Sequence, residues 1–154
     1  MINSEDNCQE FNLESNFPKA TGLIGFLVLD KTGLLYFSKV AKNQLNLGKN
    51  IFQIAGFISA ILIYSQDLIG TEDSGIKLED INLGNHHLYV CTEGKVVFAY
   101  FTEKHKTSEN LKRNVQIVIE KFIDMYFNSQ IKNFKGDISP FHCFDKIINH
   151  YFDI

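Results

Sequence analysis

The sequence NIFQIAGFISAILIYSQDLI, residues 50–69, predicts a helix with too little polar surface for an ordinary amphipathic one. On a wheel of about 3.6 residues per turn, one apolar stripe contains Ile51, Ile54, Ile58, Ile61, Leu62 and Leu68. A second surface is also apolar or small and contains Phe52, Gly56, Ser59, Ala60 and Ile63. We therefore expect the helix to be covered on two sides, by the protein's own sheet and by either a second helix or another protein.

The composition indicates one globular domain. The chain has 154 residues, and 45% of them are hydrophobic, which is enough apolar material for one core. The formal net charge of -3 argues against a general nucleic-acid binder, which would normally carry a basic face. No linker divides the body, so we expect a single domain over residues 20–154, preceded by a flexible arm over residues 1–19, of which Phe11 to Phe17 could pack against the body.

The cysteines and the N-terminus favour a cytoplasmic protein. Cys8, Cys91 and Cys143 are an odd number without a paired spacing, so we expect no disulfide framework and a reducing compartment. The polar, acidic N-terminus does not resemble a secretory signal. The longest apolar run, residues 54–64, is far shorter than the roughly 20 residues that span a bilayer. Any contact with a membrane surface should therefore be made through partners.

Five segments have the composition of strands, at residues 22–30, 34–40, 76–83, 87–92 and 95–102. The first two should form a hairpin, because Asp30-Lys31-Thr32-Gly33 is a turn signal between them. The last three are closely spaced, which is typical of an antiparallel meander. In the first strand, Gly25 would allow a helix to approach closely.

The remaining segments are helical or polar. The central helix should begin at an Asn50 cap and end before Gly70. A long helix over residues 108–133, capped by Thr107 or Ser108, should precede a last helix over residues 140–152 with proline at its first turn. Residues 41–49 form a polar connector. These elements predict an α+β fold of order β-β-α-β-β-β-α-α, with a five-stranded antiparallel sheet.

This order resembles the longin domain, and also the related roadblock fold, both of profilin-like architecture. The resemblance is carried by GLIGFLVLDKTGLLYFSKV, by the apolar helix, and by HHLYVCTEGKVVFAYFTEK. The two final helices favour longin over roadblock. The resemblance implies a non-catalytic adaptor or scaffold that dimerises with itself or a paralogous longin or roadblock subunit. It also implies binding or regulation of small Ras-like GTPases, or a role in vesicle trafficking.

The residues themselves offer no catalytic constellation. No glycine pattern fits a phosphate-binding loop, and His86 and His87 should point to opposite faces of one strand. His142, Cys143 and His150 are potential metal ligands, although no known ligand spacing connects them. We therefore expect no enzyme activity, no metal and no cofactor.

Two surfaces are candidate partner interfaces. One is the outer face of the central helix, formed by Phe52, Gly56, Ser59, Ala60 and Ile63. The other is an edge strand that carries Ile76 and Leu78, whose free backbone groups could extend the sheet into a second subunit. Alternatively, the C-terminal helices cover the helix face, and the acids Glu79 and Asp80 protect the strand edge from pairing.

A second interpretation is a ligand-sensing α/β domain of the PAS or profilin-like type. Its pocket would lie between sheet and helices and be lined by Phe26, Tyr36, Phe98 and Tyr100, although core packing explains these aromatic residues more simply. A defined oligomer without a small molecule favours the adaptor, and a monomer with a co-purified ligand favours the sensor.

Overall fold

The computed structural model describes Cys8, Leu13 and residues 17–69, 81–106 and 108–154. The strands are β1 Leu23–Asp30, β2 Leu35–Val40, β3 Ile81–Leu83, β4 His86–Glu93 and β5 Val96–Glu103. The α-helices are α1 Leu45–Lys49, α2 Ile51–Ile69, α3 Glu109–Tyr126 and α4 Asp145–Tyr151. A π-helical segment, Phe127–Ile131, extends α3, and a 3-10 helix, Ser139–Phe144, precedes α4.

The strands form one antiparallel sheet in the order β2-β1-β5-β4-β3. This confirms the predicted α+β class and the five-stranded sheet. The continuous apolar run of β1 is explained by its position, because β1 lies between β2 and β5 and is buried on both faces. The pairing of β1 with β5 joins the two β units that α1 and α2 connect.

The two faces of the sheet have separate cores. Leu27 and Leu29 of β1 point to one face, where α2 packs through its buried stripe of Ile51, Ala55, Ile58 and Leu62. Phe26 and Val28 point to the other face, where α3, α4 and the 3-10 helix pack. Because side chains alternate along a strand, each helical layer contacts a different set of sheet residues. The C-terminal helices therefore lie on the side of the sheet opposite to α2.

The turn between β1 and β2 has the predicted geometry. Asp30 Oδ1 accepts hydrogen bonds from the backbone N–H of Thr32 at 2.8 Å and of Leu34 at 2.9 Å. Gly33 has a φ of 92°, which a side chain would make unfavourable. A Cβ atom on Gly33 would lie 3.3 Å from Cβ of Ser59, so the turn packs directly on α2.

The connector between β2 and α2 is more structured than its polar sequence predicted. It contains α1, and Leu47 of this helix lies against Gly25, where an added Cβ would be 3.0 Å from Leu47 Cδ2. The close approach at Gly25 is thus made by α1 and not by the central helix. The Asn50 side-chain amide donates to the Asn46 carbonyl at 2.8 Å, so it binds the end of α1.

The start of α3 follows its local sequence signal. Ser108 is the N-cap residue, and its Oγ accepts a hydrogen bond from the Leu111 N–H at 3.1 Å. The alternative cap Thr107, the terminal Gly70 and the acids Glu79 and Asp80 lie outside the described residues.

None of the described helices is long and apolar enough to cross a membrane.

The expectation that the cysteines form no disulfide framework was wrong for one pair, because Cys8 and Cys143 form a disulfide. The partners are 135 residues apart, so no local spacing could indicate the pair. Leu13 and Phe17 also pack against the core, and the Phe17 ring centroid lies 5.1 Å from that of Tyr151. The domain boundary near residue 20 stays a prediction, and the disulfide removes the main argument for a reducing compartment.

Tyr126 should make stability fall at alkaline pH. It is 4% exposed, and burial raises its pKa from 10.0 to about 12. The unfolded chain therefore releases this proton first, so the stabilising contribution is complete below pH 10.0 and is lost as pH rises to about 12. The free energy of unfolding, measured with urea at several pH values in this range, should show the fall. The Tyr126→Phe variant should show a smaller fall. An equal fall in both proteins would contradict the assignment.

Candidate partner-binding face

The outer side of α2 is mainly apolar and is exposed over residues 52–64. Its large side chains are Phe52, Phe57, Ile63 and Tyr64, which are 72%, 49%, 50% and 68% exposed. Between them lie the exposed small residues Gly56 and Ala60. We call these six residues the α2 face. Residues 51–65 include no charged side chain, so the face lacks the charges that usually keep a helix surface in water.

The structure brings most of the predicted helix-face residues together. Phe52, Gly56, Ala60 and Ile63 are all exposed on one side of α2. Ser59 is different: it is 5% exposed, and its hydroxyl donates to the Lys31 carbonyl at 2.6 Å. Ser59 therefore anchors the β1–β2 turn and cannot contact a partner directly. A helical wheel could not show this, because it takes no account of the turn that packs beside the helix.

Two aromatic residues of the α2 face were missed from the sequence. Phe57 and Tyr64 are seven residues apart, so they lie above one another on the flank of the same surface. The spacing of seven residues could therefore have identified both side chains as part of this surface from the sequence. The strand-edge residues Ile76 and Leu78 lie outside the described residues, whereas β3 itself forms the edge of the sheet beside β4.

Two grooves border the N-terminal half of α2. The β2 groove has a volume of about 390 Å³ and lies between Phe52 and Ile138, above Tyr36 and Phe37 of β2. The β4 groove has a volume of about 440 Å³ and is lined mainly by apolar residues, including Ile54, Phe57, Leu83, Leu88 and Phe101. The N-terminal part of the α2 face, around Phe52 and Phe57, therefore lies between two depressions, a shape that another apolar surface can complement.

Comparison with solved structures identifies the fold. No family model matches the chain, and no curated protein matches its sequence. Myxococcus xanthus MglB matches with a TM-score of 0.56 and 14% identity, over 69% of this chain and 78% of that chain. A roadblock/LC7 domain from Streptomyces avermitilis matches with a TM-score of 0.56 and 13% identity, over 70% and 88%. The chain has the roadblock/longin fold.

The roadblock/longin fold confirms the resemblance found in the order of sequence elements. The two final helices had favoured longin, whereas one of the matching structures is a roadblock domain. At these identities the likeness establishes the fold of the chain alone. The function must be argued from the surface that this chain presents.

The two adjacent histidines lie on opposite faces of the sheet, whereas three other candidate metal ligands lie close together. His86 lines the β4 groove, whereas the His87 ring stacks near Tyr89 on the opposite face of the sheet. The ligand atoms of Cys8, His142 and Cys143 lie within 4.8 Å of one another. However, the two sulfur atoms are bonded to each other, so neither is available as a thiolate ligand in this state.

The aromatic residues considered for a ligand pocket belong mostly to the core of the fold. Phe26 and Phe98 are 0% exposed, and their ring centroids lie 6.3 Å apart. Phe98 also packs against Phe122 of α3 at 5.7 Å. Tyr36 borders the β2 groove, whereas Phe26, Phe98 and Tyr100 line neither of the two grooves described above.

Proposed function

We propose that the chain is a non-catalytic interaction module that self-associates through the α2 face. The observation that carries the proposal is the position of α2, which packs beside the short helix α1 on one face of the sheet and turns its outer side away from the rest of the described chain. Its inner stripe packs on the sheet, while its outer side exposes Phe52, Ile63 and Tyr64. Since α3 and α4 pack on the other side of the sheet, they cannot cover this surface.

The energetics favour an occupant on the α2 face. Burying roughly 400 Å² of apolar surface there would contribute on the order of 10 kcal/mol before the entropy costs of association. Left in water, an apolar patch of that size promotes aggregation. A second copy of the chain supplies an apolar surface of matching character, and Gly56 and Ala60 allow close approach.

The partner class follows from the fold resemblance. Longin and roadblock modules work in pairs that bind or regulate small Ras-like GTPases, or that assemble trafficking complexes. We infer the same role for this chain, with itself or a paralogous subunit as the paired module. On this view it acts as a scaffold in the cytoplasm or, through partners, at membrane surfaces, and it carries no cofactor and performs no reaction of its own.

The first test is the solution mass of the purified chain, measured by light scattering at several concentrations. One chain has a mass of 17.7 kDa, and self-association should give about twice that value at the higher concentrations. A monomer at every concentration would contradict self-association. A monomer with a co-purified small molecule would instead support the ligand-sensing interpretation. The protein should then be tested for binding to purified small GTPases loaded with GDP or a GTP analogue.

A further inference from the structure

The two ends of the described chain are joined by non-covalent contacts. Ala20 and Phe152 form a parallel bridge, in which the Ala20 N–H donates to the Tyr151 carbonyl at 3.0 Å. The Asp153 N–H donates in return to the Ala20 carbonyl at 2.9 Å. Each hydrogen bond joins the segment around Ala20 to the segment around Phe152. The hydrogen-exchange rates of these two amides therefore report whether the two segments stay together.

Asn114 of α3 connects both ends to the helical layer. Its side chain is fully buried, and its amide donates to the Pro18 carbonyl at 3.2 Å and to the Tyr151 carbonyl at 2.9 Å. Phe17 packs edge-on against Tyr151, and the Arg113 guanidinium lies 5.7 Å from the Phe17 ring centroid. The segment that includes Phe17 and Pro18 therefore covers one side of the seam between α3 and α4.

The Cys8–Cys143 disulfide adds a covalent link to this arrangement. Cys143 lies in the 3-10 helix before α4, and Cys8 lies nine positions before Phe17 in the chain. Both cysteines are half-buried and the neighbouring His142 is exposed, so the disulfide lies near the protein surface, where a small or protein thiol can approach it. A buried structural disulfide would lack this access.

We propose that the Cys8–Cys143 disulfide is a reversible redox clasp that controls how firmly the N-terminal segment covers the α3–α4 seam. A dithiol reductant opens the clasp by thiol–disulfide exchange. Its thiolate attacks one sulfur and forms a mixed disulfide, which its second thiol resolves. The Cys8–Cys143 bond breaks, the reductant forms its own disulfide, and two protons pass to the cysteine thiols. Glutathione disulfide accepts the two electrons when the clasp closes again.

Opening the clasp should loosen the segment without unfolding the sheet. Phe17, Pro18 and Ala20 would keep their packing and hydrogen bonds. However, the covalent link through Cys8 to Cys143 would no longer hold the segment close to α3 and α4 each time these contacts open. The sheet and α2 contain neither cysteine of the clasp, so we expect reduction to change their packing less than that of the segment. The proposal does not rest on self-association through the α2 face.

Native-state hydrogen exchange of the full chain tests the clasp. The Ala20 and Asp153 amides should exchange about ten-fold faster after treatment with dithiothreitol than in the oxidised protein, while amides in the centres of β1 and β5 keep their rates. The Cys8→Ser/Cys143→Ser variant should exchange like the reduced wild-type chain with or without dithiothreitol. Cys91→Ala is the matched control, because it removes a thiol outside the clasp and should retain the full redox response.

Each other outcome overturns the clasp. If native protein keeps the disulfide in dithiothreitol, the bond is not a switch. If the thiols form but Ala20 and Asp153 exchange at unchanged rates, the disulfide does not control the segment. If reduction accelerates exchange across the whole sheet, the bond stabilises the global fold and does not act locally. The reduced wild-type chain provides these readings even if the double-serine variant fails to fold.

Discussion

Gly56→Arg should raise the dissociation constant of self-association by at least about 100-fold, because it places a charge in an apolar interface without a partner. The isolated fold should tolerate the change. A Cβ at Gly56 would meet no atom within 4 Å, and glycine is a poor residue for a helix interior, so the folded monomer should be equally or more stable. Light scattering across a dilution series, with thermal unfolding of the same samples, measures both effects.

The control for this experiment is Gln116→Arg on α3. Gln116 is exposed on the opposite side of the sheet, and an arginine there adds the same charge and can pair with Glu120, which Gln116 already contacts at 3.2 Å. We expect unchanged association in this variant. Ala60→Arg should behave like Gly56→Arg. If both α2 variants associate normally, the α2 face is not the interface, and if both fail to fold, these positions are not the exposed surface that the structure describes.

Phe122→Ala should be among the most destabilising single substitutions, lowering the free energy of unfolding by about 4 kcal/mol and the Tm by roughly 10 °C. The Phe122 ring is 0% exposed and lies at the centre of the core between the sheet and the C-terminal helices. Its centroid is 5.0 Å from that of Phe144, 4.9 Å from that of Tyr126 and 5.7 Å from that of Phe98. Truncation leaves a cavity that several elements would have to move to fill.

Phe52→Ala is the matched control, since it removes the same ring from a side chain that is 72% exposed. In the Gly56→Arg background, where self-association should be absent, it should change the free energy of unfolding by less than about 1 kcal/mol. Urea unfolding of both variants gives the comparison. Similar losses at Phe52 and Phe122 would mean that Phe52 is buried within the monomer, and would remove the main support for a partner on the α2 face.

Local signals in the sequence determined most of the secondary structure. The turn after β1 follows from the Asp30 carboxylate and the positive φ of Gly33, and the start of α3 follows from the Ser108 hydroxyl. The helical periodicity of residues 50–69 was sufficient to predict α2 and its two apolar surfaces. These features depend on residues a few positions apart, so the sequence alone contains the interactions that produce them.

The helix α1 was not predicted, because its sequence contains no local helix signal. Its five residues are too short for a periodic pattern, and no side-chain cap begins it. A helix of this length is not stable alone in water, so its formation depends on contacts such as that of Leu47 with Gly25. A polar connector was the natural prediction for that reason.

Only the tertiary structure decided which surfaces are free. The order β2-β1-β5-β4-β3 places α2 on one side of the sheet and α3 with α4 on the other, which leaves the α2 face exposed. The same packing buries Ser59 under the β1–β2 turn and brings Cys8 to Cys143 across 135 residues. Contacts between distant residues arise when the whole chain buries its two cores together, and no window of local sequence contains that information.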